Sequence, residues 1–283
     1  MAELASLQPH RGGGKLRLSN PLSTNQAGVF VRLVALSQNS RAIVLRWRAY
    51  GESDKIATLL SEDFGKLTGI AKGARKSRRR FANSLEPLAR VRVHFRQRPG
   101  ASLAFLESCD LLVSSEPFSD PARFAYGSYL AELVDRLTME DEPVRGLYDL
   151  LAEALSELER GPATAALLRA FELKLLAHAG FEPQLERCAR CSRPWTSDAP
   201  VLLSTQHGTL SCPDCRSDDD APVAIATALL SALDALKRVP LARCHNQPLG
   251  AHAPAAAQLL GHLLALHLTR PLHSVKLIEQ LAG

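Results

Sequence analysis

No stretch of this 283-residue sequence is apolar enough to span a bilayer. The run between Arg243 and Arg270 carries no Lys, Arg, Asp or Glu, yet it holds four histidines with Asn246, Gln247, Pro248, Pro254 and Gln258. Hydrocarbon would leave those polar groups unsatisfied, so no membrane association is expected. No N-terminal run joins a basic start to an apolar core and a small-residue cleavage site, so the expected compartment is the cytoplasm. In that reducing compartment the six cysteines read as metal ligands or buried thiols rather than disulfides.

Catalytic signatures are missing as well. The chain has no Gly-x-x-x-x-Gly-Lys-Ser/Thr phosphate loop, no His-Glu-x-x-His and no Gly-x-Ser-x-Gly. Pro213 sits in a cysteine pair, but the His-x-Glu partner of the zinc nucleobase deaminases is absent. Acidic pairs such as Glu62-Asp63 and Asp141-Glu142 fall in turn-like sequence and read as solvated loops. The expectation is a binding protein without catalytic residues.

What remains is ordinary globular material, 46% hydrophobic and 22% charged, long enough for about two domains. The net charge of +5 hides a sharp asymmetry: residues 1–40 carry +3, residues 41–117 carry +7 and residues 118–283 carry −5. Between positions 72 and 98 there are ten Lys and Arg against the single acid Glu86. A cluster of that density is an electrostatic footprint for a polyanion.

Residues 1–40 mix Gly12-Gly13-Gly14 with Ser, Asn and Pro and read as a flexible extension, with a possible short element near Val29–Leu36. From Arg41 the pattern becomes period-two, with Ile43, Leu45 and Trp47 alternating with Val44, Arg46 and Arg48. Further short strands are expected at 55–60, 66–72, 89–96 and 102–108, and five of them within 41–117 fit a small closed barrel. In the 90–96 run, Val91, Val93 and Phe95 supply a core face while Arg90, Arg92, His94 and Arg96 point the other way.

After Pro117 the period turns helical. Asp120 is placed to cap a helix with Pro121 at its first position and Phe124, Leu130, Leu133 and Leu137 as its stripe. Stripes recur at Leu147/Leu151/Leu155/Leu158 and Leu167/Leu168/Phe171/Leu175, then at about 222–238, 253–268 and 272–281. A helical domain over 118–185 and 218–283 is therefore interrupted by a module at 186–217.

That module holds Cys188-x-x-Cys191 and Cys212-x-x-Cys215, with 20 residues between the pairs. Each pair places two thiolates on one turn, and four protein ligands leave no open position for an activated water, so the spacing predicts one structural Zn2+. His207 is superfluous beside four sulfurs, Cys109 reads as strand packing, and Cys244-His245 lacks a second pair.

Taken together, Ala42-Ile43-Val44-Leu45, Tyr50-Gly51-Glu52-Ser53-Asp54, Gly65-Lys66, Ala71-Lys72-Gly73-Ala74-Arg75, Leu85-Glu86-Pro87-Leu88, Gly180-Phe181-Glu182-Pro183, the four cysteines and Arg270-Pro271-Leu272 resemble the bacterial RecO recombination and repair family over about residues 41–283. The resemblance implies an α+β multidomain fold: an N-terminal OB-fold β-barrel, then an α-helical domain with an inserted four-cysteine zinc module. It also implies binding of single- and double-stranded DNA, strand annealing, contacts with RecR and the single-strand DNA-binding protein, assistance in RecA loading, and association with the nucleoid. Lys72, Gly73 and Arg75 carry over as motif positions. Residues before 41 have no family counterpart, and His273 and Val275 stand where basic residues are expected.

For DNA contact the candidates are Lys72, Arg75, Lys76, Arg78, Arg79, Arg80, Arg90, Arg92 and Arg96, which can neutralise phosphates. Trp47, Tyr50, Phe64 and Phe81 are candidate stacking platforms, with Phe81 favoured because it adjoins Arg80 and Trp47 assigned to the core. An RNA-binding zinc-ribbon factor of transcription or translation is the alternative that a basic barrel equally permits. A nuclease holding magnesium on Asp218–Asp220 is a third.

Overall fold

A computed structural model of the chain describes residues 37–282 except 99, 141, 197–199 and 217–221, with backbone alone at 281 and 282. The flexible extension expected at 1–40 lies outside it up to residue 36, as does Asp218–Asp220. Five strands, β1 (Gln38–Tyr50), β2 (Asp54–Ser61), β3 (Gly65–Ala71), β4 (Arg90–Arg96) and β5 (Ala104–Val113), close into a barrel in the order β1-β2-β3-β5-β4. The β3–β5 seam is parallel and every other pairing antiparallel. This is the OB-type barrel that the strand spacing and the resemblance lead one to expect.

β1 departs from simple alternation. Ala42, Ile43, Val44 and Leu45 are all buried, because the strand has packing partners on both faces. Ala42 and Val44 enter the barrel core, whereas Ile43 and Leu45 join the core of the helical domain. The β1–β2 register then slips between Val44 and Arg46, so Leu45 is the extra residue of a bulge. One added residue exchanges the two faces. Trp47 thereby packs against the barrel core, and Arg46 turns outward to Asp135, 2.7 Å away.

β4 follows its alternation closely on the inner side, where Val91, Val93 and Phe95 are fully buried with Leu59, Leu67 and Leu106. The β3–β4 connection contributes Phe81, Leu85 and Ala89 to the same core, so it packs against the barrel instead of standing off in solvent. The backbone N–H of Cys109 donates to the carbonyl of Arg80 at 2.8 Å and ties that segment to β5.

Three helices follow: α1 (Pro121–Leu137), α2 (Leu147–Arg160) and α3 (Ala165–His178). Asp120 caps α1 as expected, its carboxylate accepting the Arg123 N–H at 2.9 Å. Leu130 and Leu133 are fully buried, but Phe124 is exposed, and Tyr129 and Val134 take the stripe instead. After the cysteine region come α4 (Thr227–Arg238), α5 (Ala253–Ala265) and α6 (Ser274–Ala282). The single helix expected over 222–238 divides: Val223–Ile225 is a strand, β8, paired with β6 (Val201–Leu203), which also pairs β7 (Leu210–Ser211). α6 begins at Ser274, three residues beyond Pro271, because Glu132 of α1 accepts the N–H groups of His273 (3.0 Å) and Ser274 (2.8 Å) and caps the helix there. No helix of the described residues is long and apolar enough to cross a membrane.

Gly65 and Lys66 join the barrel to the helical domain. The Lys66 ammonium donates to the carbonyls of Asp135 (2.7 Å) and Thr138 (2.6 Å). Gly65 has a φ of 68°, and a Cβ there would lie 2.3 Å from the Glu142 carbonyl oxygen. The left-handed backbone alone costs a non-glycine residue about 1–2 kcal/mol, and the clash adds to it. Gly65→Ala is therefore expected to lower the urea midpoint; a midpoint equal to that of the parent chain would remove this lock from the account.

Candidate nucleic-acid interface and cysteine cluster

The two clearest barrel motifs, residues 50–54 and 71–75, pack against one another through Asp54. This residue opens β2 and its carboxylate accepts the Gly73 N–H at 2.8 Å and the Ser53 hydroxyl at 3.0 Å. It also pairs with the Lys72 ammonium at 2.9 Å. The Gly73 N–H and then Lys72 hold the Asp54 carboxyl below its ordinary range, and the same pair raises Lys72. Gly73 has a φ of 68°, the left-handed conformation that turns the chain back toward the β1–β2 hairpin. The Arg75 N–H then reaches the Ser53 carbonyl at 2.9 Å.

Beyond this knot the basic residues fall into three groups. Arg75 and Arg80 donate to backbone carbonyls, those of Glu52 and Lys72, each at 2.9 Å. Those contacts position the guanidinium groups but neutralise no charge. Lys76, Arg78 and Arg79 are exposed and form no ion pair among the described residues. The polar side chains on β4, by contrast, mostly have partners: Arg96 pairs with Glu107 at 2.7 Å and His94 contacts Asp110 at 2.9 Å, while Arg92 reaches Asn39 at 3.4 Å. The uncompensated charge therefore concentrates in the segment from Arg75 to Arg80.

In the module inserted between α3 and α4, the four cysteine sulfurs of residues 188, 191, 212 and 215 lie within 4.8 Å of one another. Cys191 Sγ and Cys212 Sγ are 3.8 Å apart, the separation of about 3.8 Å that tetrahedral ligation at a metal–sulfur distance of about 2.3 Å requires. The Cys212 N–H points at Cys188 Sγ, 3.4 Å away. Burial raises the Cys188 thiol, but the N–H groups of Cys191, Cys212 and Arg190 outweigh it and bring it down to about 6. Hydrogen bonds donated by the Cys215 thiol to the Cys212 and Cys191 sulfurs push it up to about 12, an order that a coordinated cation would override by deprotonating the thiols. The donor set and its geometry can hold one metal ion. His207 is not part of the group; its N–H donates to Ser204 in the β6–β7 turn.

Two family matches cover nearly all of the described chain: residues 36–114 match Recombination protein O N terminal, and residues 118–276 match Recombination protein O C terminal. The chain belongs to the RecO family. It is 36% identical over 241 residues to the DNA repair protein RecO of Anaeromyxobacter dehalogenans strain 2CP-C, covering 84% of this chain and 94% of that relative. It is 38% identical over 241 residues to the protein of that name from Myxococcus xanthus, covering 84% and 96% respectively. The counterpart in Geobacter sulfurreducens is 36% identical over 242 residues, covering 85% and 96%.

Within this RecO barrel two sequence assignments need correction. Arg90 is buried, its guanidinium pairing with Glu159 at 2.5 Å and donating to Ser156 at 2.7 Å, both on α2. It fastens β4 to the helical domain and has no face left for a phosphate. Phe81 is only 3% exposed and belongs to the barrel core, because the cationic segment folds its apolar residue inward, beneath Arg80. Removing a buried phenylalanine costs about 3–5 kcal/mol, so Phe81→Ala is expected to act on stability in a urea titration. A variant that unfolds at the parent midpoint would return Phe81 to the surface.

Trp47, assigned to the core, is half-buried against it, with the Lys55 ammonium 3.8 Å from its ring centroid. Phe64 lies edge-on to Phe95 at 5.2 Å. Cys109 and Cys244 are buried, and burial pushes their thiols up to about 12 and about 11. In the sequence Asp54 is legible as the acid that ends the first motif, but not as the group that holds the second.

Proposed function

We propose that the chain is a DNA-binding mediator of recombination and repair. It captures single and double strands by phosphate charge, promotes annealing of complementary strands, and assists RecA loading together with RecR and the single-strand DNA-binding protein, in the cytoplasm at the nucleoid. The partners follow from family membership. The mode of binding rests on one observation, the run from Arg75 to Arg80 whose cations meet no carboxylate among the described residues.

Lys72, Arg75, Lys76, Arg78, Arg79 and Arg80 form the phosphate surface of the barrel domain, 41–117, with Arg92 and Arg96 at its border. Asp54 and Gly73 set its shape. Lys72 and Arg96 exchange an internal carboxylate for a phosphate on binding, so they contribute less net charge than Arg78 or Arg79. Two strands neutralised on one cationic surface repel each other less, which speeds pairing without bond chemistry. The residues 186–217 act as a structural module in which Cys188, Cys191, Cys212 and Cys215 hold one Zn2+. The ion would supply a four-way cross-link to a segment whose strands are only two or three residues long.

The test is an annealing assay with complementary DNA and RNA oligonucleotides of equal sequence, run against the uncatalysed rate. Acceleration with DNA supports the proposal. Binding confined to RNA, or cleavage of either strand, would overturn it.

A further inference from the structure

Six aromatic residues lie between Ser37 and Val113, and five are engaged by the barrel itself. Phe81 and Phe95 are buried, and Phe64 packs edge-on against Phe95. Trp47 carries Lys55 on its ring, and Phe105 has the Arg96 guanidinium 5.8 Å from its centroid. Tyr50 differs: it is 48% exposed at the very end of β1, opposite Asp54 across the tight turn at Gly51. Asp54 is the carboxylate that holds Lys72 and Gly73, so the hairpin tip is tied to the start of the cationic loop. Tyr50 is the last of the groups that raise the Lys72 ammonium, which places the two side chains near one another, and exposed Arg48, two positions back on the strand, shares the face of Tyr50.

From this arrangement we infer that Tyr50 is a stacking platform for an unpaired nucleobase, with Arg48 and Lys72 set to meet the flanking phosphates. The inference rests on the nucleic-acid reading above and adds a basis for discrimination. A duplex keeps its base faces inside its own stack, so the ring rewards single strands alone. The phenol hydroxyl takes no part in stacking, and phenylalanine serves equally.

The experiment uses the full chain with a thymidine oligonucleotide carrying one 2-aminopurine, and a duplex of matching length. Tyr50→Ala is expected to weaken single-strand binding about tenfold, to leave duplex binding unchanged and to lose the quenching of 2-aminopurine fluorescence. Tyr50→Phe should match the parent chain in all three. Equal affinity of Tyr50→Ala and the parent for the single strand would overturn the inference, as would equal losses on strand and duplex. If the parent chain binds neither probe in dilute salt, the nucleic-acid reading itself fails; if it binds both and Tyr50→Ala does so equally, only the role of Tyr50 falls.

Discussion

Replacing Lys76, Arg78 and Arg79 together with alanine is expected to weaken single-strand binding about a hundredfold at 0.1 M salt, with the fold intact. These three cations are chosen because none makes an ion pair among the described residues, so their removal breaks no described electrostatic contact. Arg80 is a poorer target, since its guanidinium holds the Lys72 carbonyl and covers Phe81. The magnitude comes from counterion release: each neutralised phosphate contributes about 0.7 to the salt exponent for single strands, so three contribute about two powers of ten at 0.1 M. Because phosphates carry no sequence, the loss should be uniform across sequences. Fluorescence anisotropy beside a thermal melt separates the outcomes. Affinity within twofold of the parent, at an unchanged melting temperature, would move the phosphate surface elsewhere.

Cys188→Ser combined with Cys212→Ser is expected to open the helical domain as well as the cysteine module. Leu185 at the edge of the module and Val201, Leu203 and Leu210 within it belong to the same buried cluster as the helices, so the module is part of that core. Gly208 in the β6–β7 turn approaches Leu263 and Leu266 of the α5 end so closely that a Cβ there would meet them at 3.0 and 2.6 Å. Burying each of the four side chains contributes about 1.5–3 kcal/mol, and together they rival the total stability of about 5–15 kcal/mol typical of a domain. An ion held by the four cysteines would add to this, and in isolated zinc fingers the apparent binding energy is about 10–16 kcal/mol. The parent chain should therefore contain one zinc per molecule by elemental analysis. Chelation or the double substitution should cause early helical melting and rapid proteolysis between residues 186 and 216. A chain that carries no metal and resists protease as well as the substituted form would contradict the cross-link.

Much of this was visible in the sequence because the signals were local. The alternation of Val91, Val93 and Phe95, the Asp120-Pro121 helix start and the doubled cysteine pairs each depend on a few neighbouring residues, and each appears where expected. The misreadings share one cause, which is contact between distant segments. Arg90 looks like its strand neighbours Arg92 and Arg96 until α2 places Glu159 against it. Trp47 packs against a core as assigned, but the bulge at Leu45, which nothing in the local pattern announces, turns it to the barrel core and away from the one that Ile43 and Leu45 join. Phe81 sits among arginines in sequence, yet its side chain completes a core built from strands that lie before and after it. Gly65-Lys66 was legible as a motif but not as a joint, because Asp135, Thr138 and Glu142 belong to the other domain.

In the proposed mode of binding, the uncompensated cationic segment on the barrel meets the sugar–phosphate backbone. The most direct test of that contact is the slope of log affinity against log salt for the unmodified chain on single-stranded DNA. Five engaged cations, Arg75, Lys76, Arg78, Arg79 and Arg80, give an expected slope of about −3 to −4 and a loss of about a hundredfold between 50 and 200 mM salt. A slope near zero, or no binding in dilute buffer, would contradict it.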